Sequence, residues 1–310
     1  MEDRSKILVI GSVNMDLTLM TDAFPRVGEA LVGNAYCYNP GGKGANQAAA
    51  AALLGADVWF AGKVGLDDYG LRLRRSLEGF GVHTRGLLED ATASTGMAAI
   101  MVEKTGRNRI LVFPGANMAL TGEDVIPLME GLRPDAVILQ FEIADDTVLA
   151  CSAAAQSMGI PVVVDAGPAK PFPIDKLGKP LVFSPNETET RVFCGILPDT
   201  DENASLAARA MRERTGAAYV VIKRGEHGAY LYDGEGEGEN FPAIPVRAVD
   251  STAAGDAFTA ALTVRYLRTR DIAASIRYAN VVGALSVTKT GAQSAMPTAA
   301  EVESFLIEQT

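Results

Sequence analysis

Ala136-Val-Ile-Leu139, Val162-Val-Val-Asp165, Leu181-Val-Phe183 and Val220-Val-Ile-Lys223 are four short apolar runs, interleaved with helical sequence near 122–131, 146–158, 187–194 and 203–215. Strand and helix in alternation imply a parallel sheet with right-handed crossovers, so this stretch predicts an α/β fold. Toward the N-terminus, Ile7 to Gly11 is another apolar strand, ending in Gly11-Ser-Val-Asn14-Met-Asp16. An open α/β sheet places binding loops at the carboxyl ends of its strands. Two further segments lack helical periodicity. Leu17 to Tyr38 alternates loosely around turns at Pro25 and Gly28, and within Thr95 to Phe113 the runs Met97–Val102 and Arg109–Phe113 flank a turn at Glu103–Arg107. These two segments, about 15–38 and 95–113, are expected to pair as a small β lid over the mouth of the main sheet. Thr121 with Asp124 and Thr298 with Glu301 form capping boxes that fix two helix starts. Asp233-Gly-Glu-Gly-Glu-Gly-Glu239 has the composition of a solvated hairpin tip.

With 310 residues the chain suits one large α/β domain, with or without a small appendage, and nothing in it has the composition of a flexible linker. A net charge of −10 supplies no basic excess to offset a phosphate backbone, which argues against nucleic-acid and anionic-membrane partners. Any phosphorylated ligand must be held by local groups. The first apolar run is too short for a signal or membrane segment, so a cytosolic protein is expected. Cys37, Cys151 and Cys194 lie far apart without a CxxC pair, which supports neither a disulfide framework nor a zinc site. Only His83 and His227 exist, so acid–base work falls to carboxylates.

Ala248-Val-Asp-Ser-Thr-Ala-Ala-Gly-Asp-Ala-Phe258 places small residues and a carboxylate at the mouth of a long helix. The N–H groups of Ala253, Ala254 and Gly255 would point out of that helix start and bind an anion. Asp256 sits where the helix dipole would otherwise favour the phosphate itself. That pairing suits phosphoryl transfer, with the aspartate taking a proton from an attacking hydroxyl, although an Asp-capped helix has the same local sequence. Asn39-Pro-Gly-Gly-Lys-Gly-Ala-Asn-Gln-Ala48 is a second glycine-rich helix entry, with Lys43 and Asn46 as donors. No Ser or Thr follows Lys43 as in a Walker A loop, and Gln47 stands where a dinucleotide fingerprint needs glycine. In Ser184-Pro-Asn-Glu-Thr-Glu189, the two glutamates could hold water on Mg²⁺ or simply complement a helix dipole. Lys223-Arg-Gly-Glu-His-Gly228 reads equally as a nucleotide shelf or a hairpin.

These motifs, together with Gln140-Phe-Glu142 and Gly291-Ala-Gln293, occur in an order and at separations that closely resemble the ribokinase-like sugar kinases of the phosphofructokinase-B type, over nearly the whole chain. The resemblance implies a single three-layer α/β/α unit over residues 1–310, with a mostly parallel central sheet and a β lid that serves as a homodimer clasp. It implies ATP and Mg²⁺ as cosubstrates and K⁺ as monovalent activator. The implied reaction is phosphorylation of the primary hydroxyl of a small sugar, D-ribose first, with 2-deoxyribose, a ketohexose or a nucleoside as alternative acceptors. A non-catalytic sugar-sensing relative is a further reading, opposed by an intact Asp256 and Gly-Gly-Lys-Gly loop. Carried over by position, Asn14, Asp16, Gly42, Lys43, Asn46 and Glu142 would bind the sugar. Asp256 would be the base, and Gly255 and Ala254 the anion hole. Asn186, Lys223, Gly225, Gly228, Gly255 and Asn280 would line the ATP site, with Glu189 reaching Mg²⁺ through water. Asp250, Thr252, Ser286, Lys289 and Gly291 would surround the monovalent cation, mostly through backbone oxygens. The chain departs from the family pattern at Ser294-Ala295, where Pro-Ser is frequent, at Lys223, where Thr is common, and at Asn280, a frequent His.

Overall fold

The computed structural model describes residues 4–308. The chain begins with β1 (Lys6–Ile10), β2 (Asn14–Thr21), β3 (Ala35–Gly41) and α1 (Lys43–Leu53), followed by β4 (Asp57–Gly65), α2 (Asp68–Gly79) and β5 (His83–Asp90). A hairpin of β6 (Gly96–Glu103) and β7 (Asn108–Phe113) precedes the regular alternation of α3 (Gly122–Leu132), β8 (Ala136–Leu139), α4 (Asp145–Ser157), β9 (Val162–Asp165), β10 (Val182–Ser184), α5 (Glu187–Cys194), α6 (Asp201–Thr215) and β11 (Tyr219–Lys223). The antiparallel strands β12 (Ala229–Tyr232) and β13 (Glu239–Phe241) then lead to α7 (Ala254–Thr269), α8 (Ile272–Ser286) and α9 (Ala299–Glu308).

The main sheet runs β13-β12-β11-β10-β9-β8-β1-β4-β5. Its pairs are parallel from β11 to β5, and only the β12 and β13 edge is antiparallel. Side chains alternate across a strand, so each strand feeds two cores. Ile7, Val9, Ile138 and Val163 pack with α1, α7 and α8 residues such as Ala48, Ala260 and Ile276. Leu8, Ile10, Val137 and Val164 face the other way, onto Met129, Val148, Ala207 and Met211 of α3, α4 and α6. This is the expected three-layer α/β/α arrangement. The Asp233–Glu239 run joins β12 to β13 as the expected hairpin tip.

A second sheet of four strands runs β3-β2-β6-β7. It is built from both of the non-helical segments of the sequence, with one difference. Asp22–Asn34 leaves the sheet as a largely exposed excursion, so the first segment is two strands and a loop. Pro25 removes a ladder donor there, and Gly28 takes a positive φ of 79°. No helix among the described residues is long and apolar enough to cross a membrane.

Candidate active site

The carboxyl ends of β1, β8, β9, β10 and β11 meet the starts of α1, α5 and α7 at one end of the main sheet. The N-cap of α1 is Gly42, which has φ 89° and no side chain to satisfy the helix N–H groups. A Cβ there would stand 2.9 Å from the backbone nitrogen of Asn14, so only glycine lets α1 begin against the end of β1. A distant carboxylate supplies the missing cap. Glu142 Oε2 accepts from the Lys43 N–H at 3.1 Å and from Ser12 Oγ at 2.5 Å. Asn14 is buried on β2, with its Oδ1 accepting from Asn117 Nδ2 at 2.8 Å. Asp16 lies two residues along the same strand, packed against Gly41, and its Oδ1 is buried without a hydrogen-bond partner among the described residues. Burial, reinforced by the charges of Glu142 and Asp256, raises the Asp16 carboxyl to about 7.

Asp256 occupies the first turn of α7 and is 3% exposed. Both of its oxygens are held. Oδ2 accepts from Asn46 Nδ2 at 2.9 Å, Oδ1 from Gln47 Nε2 at 3.1 Å, and the Lys43 ammonium stands 3.7 Å from Oδ1. Burial raises the Asp256 carboxyl; Lys43 and Asn46 oppose that shift, while Asp165 and Glu142 add to it. For Lys43, burial works against the charge, but Asp256, Asp165, Glu142 and Glu189 outweigh it and hold the ammonium protonated. Behind this pair lies a network that the motifs did not mark. Gln47 Nε2 also donates to Asp165 Oδ2 at 2.7 Å, Gln140 donates to Gln47 Oε1 at 2.6 Å, and Lys223 Nζ reaches Asp165 Oδ1 at 2.7 Å. Gln47 and Gln140 stood in motifs of the family resemblance without a role of their own, and Asp165 only as the end of a strand. Their positions at the ends of neighbouring elements were the available signal.

Ala253, ahead of α7, has a left-handed φ of 61°, which costs an alanine of order 1 kcal/mol and turns the first N–H groups of the helix outward. The Ala254 N–H is not fully free, as the sequence suggested, because it makes a long 3.3 Å contact to the Ser251 carbonyl. Gly255 borders a cavity of about 480 Å³ with apolar walls at Ile244, Val246, Phe258 and Ala284 and glycines at 225 and 228. Lys223 and Asn280 also line it. The 223–228 turn is therefore both a hairpin between β11 and β12 and one wall of this cavity. Asn280 spends its amide donors on the carbonyls of Phe241 and Pro242, leaving its oxygen for a ligand. Asn186 is not free either. It caps α5 reciprocally with Glu189, a capping box in Asn-Glu-Thr-Glu that the sequence reading overlooked. Glu189 nevertheless packs beside Lys43 at Gly167, between the two lysines of the site.

The five residues expected at a cation come together in part. Asp250 carboxylate oxygens accept from Thr252 N and Oγ1 and from the Gly291 N–H at 2.9 Å, which ties the two loops to each other. Although partial burial works against it, bonding from Thr252 and Gly291 lowers the Asp250 carboxyl. The Ser286 hydroxyl donates to the Gly283 carbonyl and keeps its oxygen lone pairs, while the Lys289 side chain turns away to Glu301 at 2.6 Å and offers an ion only its backbone oxygen. Among the described residues no cluster of three or more His, Cys, Asp or Glu side chains forms a metal cage.

The model of the pfkB family carbohydrate kinases matches residues 4–299. The chain is 37% identical to the ribokinase of Bacillus subtilis over 97% of its length and 99% of that protein. It is 34% identical to the deoxyribokinase of Salmonella typhi, covering 97% of this chain and 98% of that one. The structure of Arabidopsis thaliana ribokinase complexed with ribose and ATP superposes with a TM-score of 0.91 at 31% identity, over 98% of this chain and 99% of that one. With a carboxylate-bearing helix start between a polar cluster and a cavity, and a family match over almost its whole length, the chain belongs to the pfkB family of carbohydrate kinases.

Proposed function

We propose that this carbohydrate kinase transfers the γ-phosphoryl group of ATP to the primary hydroxyl of D-ribose, giving D-ribose 5-phosphate. The observation that carries the reading is the placement of Asp256, held through both oxygens by Asn46 and Gln47 at the boundary between the polar pocket of Asn14, Asp16 and Glu142 and the cavity beside Gly255. A sugar hydroxyl is a poor nucleophile, and a buried carboxylate with a raised pKa is a stronger base toward it. Asp256 takes the hydroxyl proton as oxygen attacks phosphorus. The Gly255 N–H, with Ala254 beside it and Lys43 and Lys223 nearby, faces the charge that builds on the transferring phosphoryl oxygens. Adenine fits the apolar walls near Asn280, over the Gly225 and Gly228 turn. Glu189 would be the carboxylate nearest a Mg²⁺ ion carried on the ATP phosphates, and that ion would supply neutralisation of the phosphate charge. Backbone oxygens of the loops that Asp250 joins would hold K⁺, whose charge would help order the helix start beside them. The small sheet is the lid over the sugar, and its outer strand the contact of a homodimer, in a cytoplasmic enzyme.

Identity alone does not choose the acceptor, because the ribokinase and the deoxyribokinase match nearly equally well. Asn14 favours ribose. The side chain is buried as a whole while its amide nitrogen donates to no group among the described residues, and in a site closed around the sugar a substrate lacking the matching hydroxyl would leave that nitrogen unpaired at about 1–3 kcal/mol. The test is kcat/KM for ribose and 2-deoxyribose with ATP. Wild type is expected to favour ribose by roughly tenfold or more, and Asn14→Met to move the ratio toward the deoxy sugar. Equal values in wild type would remove ribose as the preferred acceptor.

A further inference from the structure

Asn117 lies in the short turn Gly115–Ala119 by which the chain leaves β7, and it is 1% exposed. Its Oδ1 accepts the Val13 N–H at 2.9 Å. Its Nδ2 donates to the Pro114 carbonyl at 2.9 Å and to Asn14 Oδ1 at 2.8 Å, with the Val13 carbonyl further off at 3.3 Å. Backbone N–H and C=O groups cannot exchange roles, so they allow the Asn117 amide one orientation. That orientation passes to the next amide. Asn14 must turn its oxygen toward Asn117 and is left with its Nδ2 hydrogens to offer. Gly96 pairs with Asn14 across the sheet, and a methyl at position 96 would overlap this amide pair, so the local sequence is shaped around the contact.

We propose that Asn117 is a positioning residue for the sugar site, holding Asn14 as a hydrogen-bond donor to an acceptor hydroxyl. The inference rests on the sugar-kinase reading and deepens it. A hydroxyl that accepts from Asn14 keeps its own proton to give to Asp16 Oδ1, which has no partner. One hydroxyl thereby satisfies both side chains, and the direction of the chain of bonds is set from Val13 and Pro114.

Asn117→Asp tests this. It keeps an acceptor for Val13 but presents a carboxylate oxygen to Asn14, whose amide must flip and turn its oxygen toward the sugar. KM for ribose is expected to rise roughly 10–100-fold, kcat to fall far less, and KM for ATP to stay within about twofold. The decisive measurement is the cycle with Asn14→Ala. If Asn117 acts through Asn14, then Asn117→Asp adds little to the ribose KM of Asn14→Ala, whereas a merely structural role costs the same in both backgrounds. Asn117→Ala, which removes the donor without adding charge, is read in the same cycle should the aspartate variant fold poorly. Additive effects in a wild type that phosphorylates ribose overturn this inference alone. Failure of the wild type to phosphorylate any sugar overturns the functional reading and this inference with it.

Discussion

As the proposed base, Asp256 joins two opposed requirements: burial raises its basicity, and the donors around it stabilise its charge. Asn46 and Gln47 meet the second with neutral donors, and Lys43 adds a charge at 3.7 Å. Asp256→Asn keeps the shape and loses the base, so kcat is expected to fall about 10²–10⁴-fold while ribose affinity stays within a few-fold. Near-normal turnover in that variant would take Asp256 out of the mechanism. Asp165 and Lys223 are less clean targets, because breaking a buried pair costs about 3–5 kcal/mol of stability by itself. Asp16 makes a prediction in pH. Its folded pKa of about 7 lies above the ordinary carboxylate value of 3.8, so between those two pH values the folded ligand-free protein holds a proton that the unfolded chain has released. The stability from this group is fully present below about pH 4 and is lost as the pH rises through 7. A ribose hydroxyl that donates to Asp16 favours the ionised form and reverses that loss. The rise in Tm produced by saturating ribose is therefore expected to be larger at pH 8 than at pH 6, and to lose this pH dependence in Asp16→Asn. Equal shifts at both pH values in wild type would show that Asp16 does not accept from the sugar.

The start of α7 is an element whose geometry depends on what flanks it. Ala253 is held in a left-handed conformation, and the preceding loop is tied by Asp250 to Gly291 and by the Val249 and Asp250 N–H groups to the Val287 carbonyl. Asp250 serves as a clasp between two loops, and its charge stays close to any ion held by their carbonyls. Replacing K⁺ with tetramethylammonium is expected to slow the wild type roughly tenfold. Asp250→Ala should show the low rate with either cation. A wild-type rate that ignores the cation would remove the site. The capping logic of this region was partly legible: Thr298 and Glu301 bond reciprocally as their spacing implied. The cap of α1 was not, because Glu142 lies 99 positions from Lys43 and no local pattern joins them.

Over the molecule as a whole, the small sheet leaves β7 with every residue exposed, including Leu111 at 67% and Phe113 at 55%. An apolar edge strand with unpaired backbone groups invites a second strand, and a two-fold copy of the same surface supplies one. The protein is expected to run at twice the chain mass in size-exclusion chromatography with light scattering. Leu111→Lys combined with Phe113→Lys, two positions on one face of β7, should give monomers; a dimer that survives both changes places the contact elsewhere.

The alternation of strand and helix from Gly122 to Lys223 was determined by the sequence alone, while β4, α2, β5 and α8 were not marked by it. Ala136–Leu139, Val162–Asp165 and Glu187–Cys194 stand where the apolar runs and helical spacing put them, because hydrophobic periodicity acts over a few residues. The glycine-rich helix entries at Gly41–Asn46 and Gly255–Asp256 were legible for the same reason, whereas Asn14–Asp16, read as part of a loop after the first strand, is the start of strand β2. Only the tertiary structure decided which of these groups touch. Asp165 and Lys223 meet because β9 and β11 flank β10, and the Asn117 amide reaches Asn14 because β7 ends beside the start of β6, which pairs with the start of β2. Strand order and crossover path are settled by packing the whole sheet, and hydrogen-bond polarity inside a buried site follows from backbone groups that only the finished fold brings together.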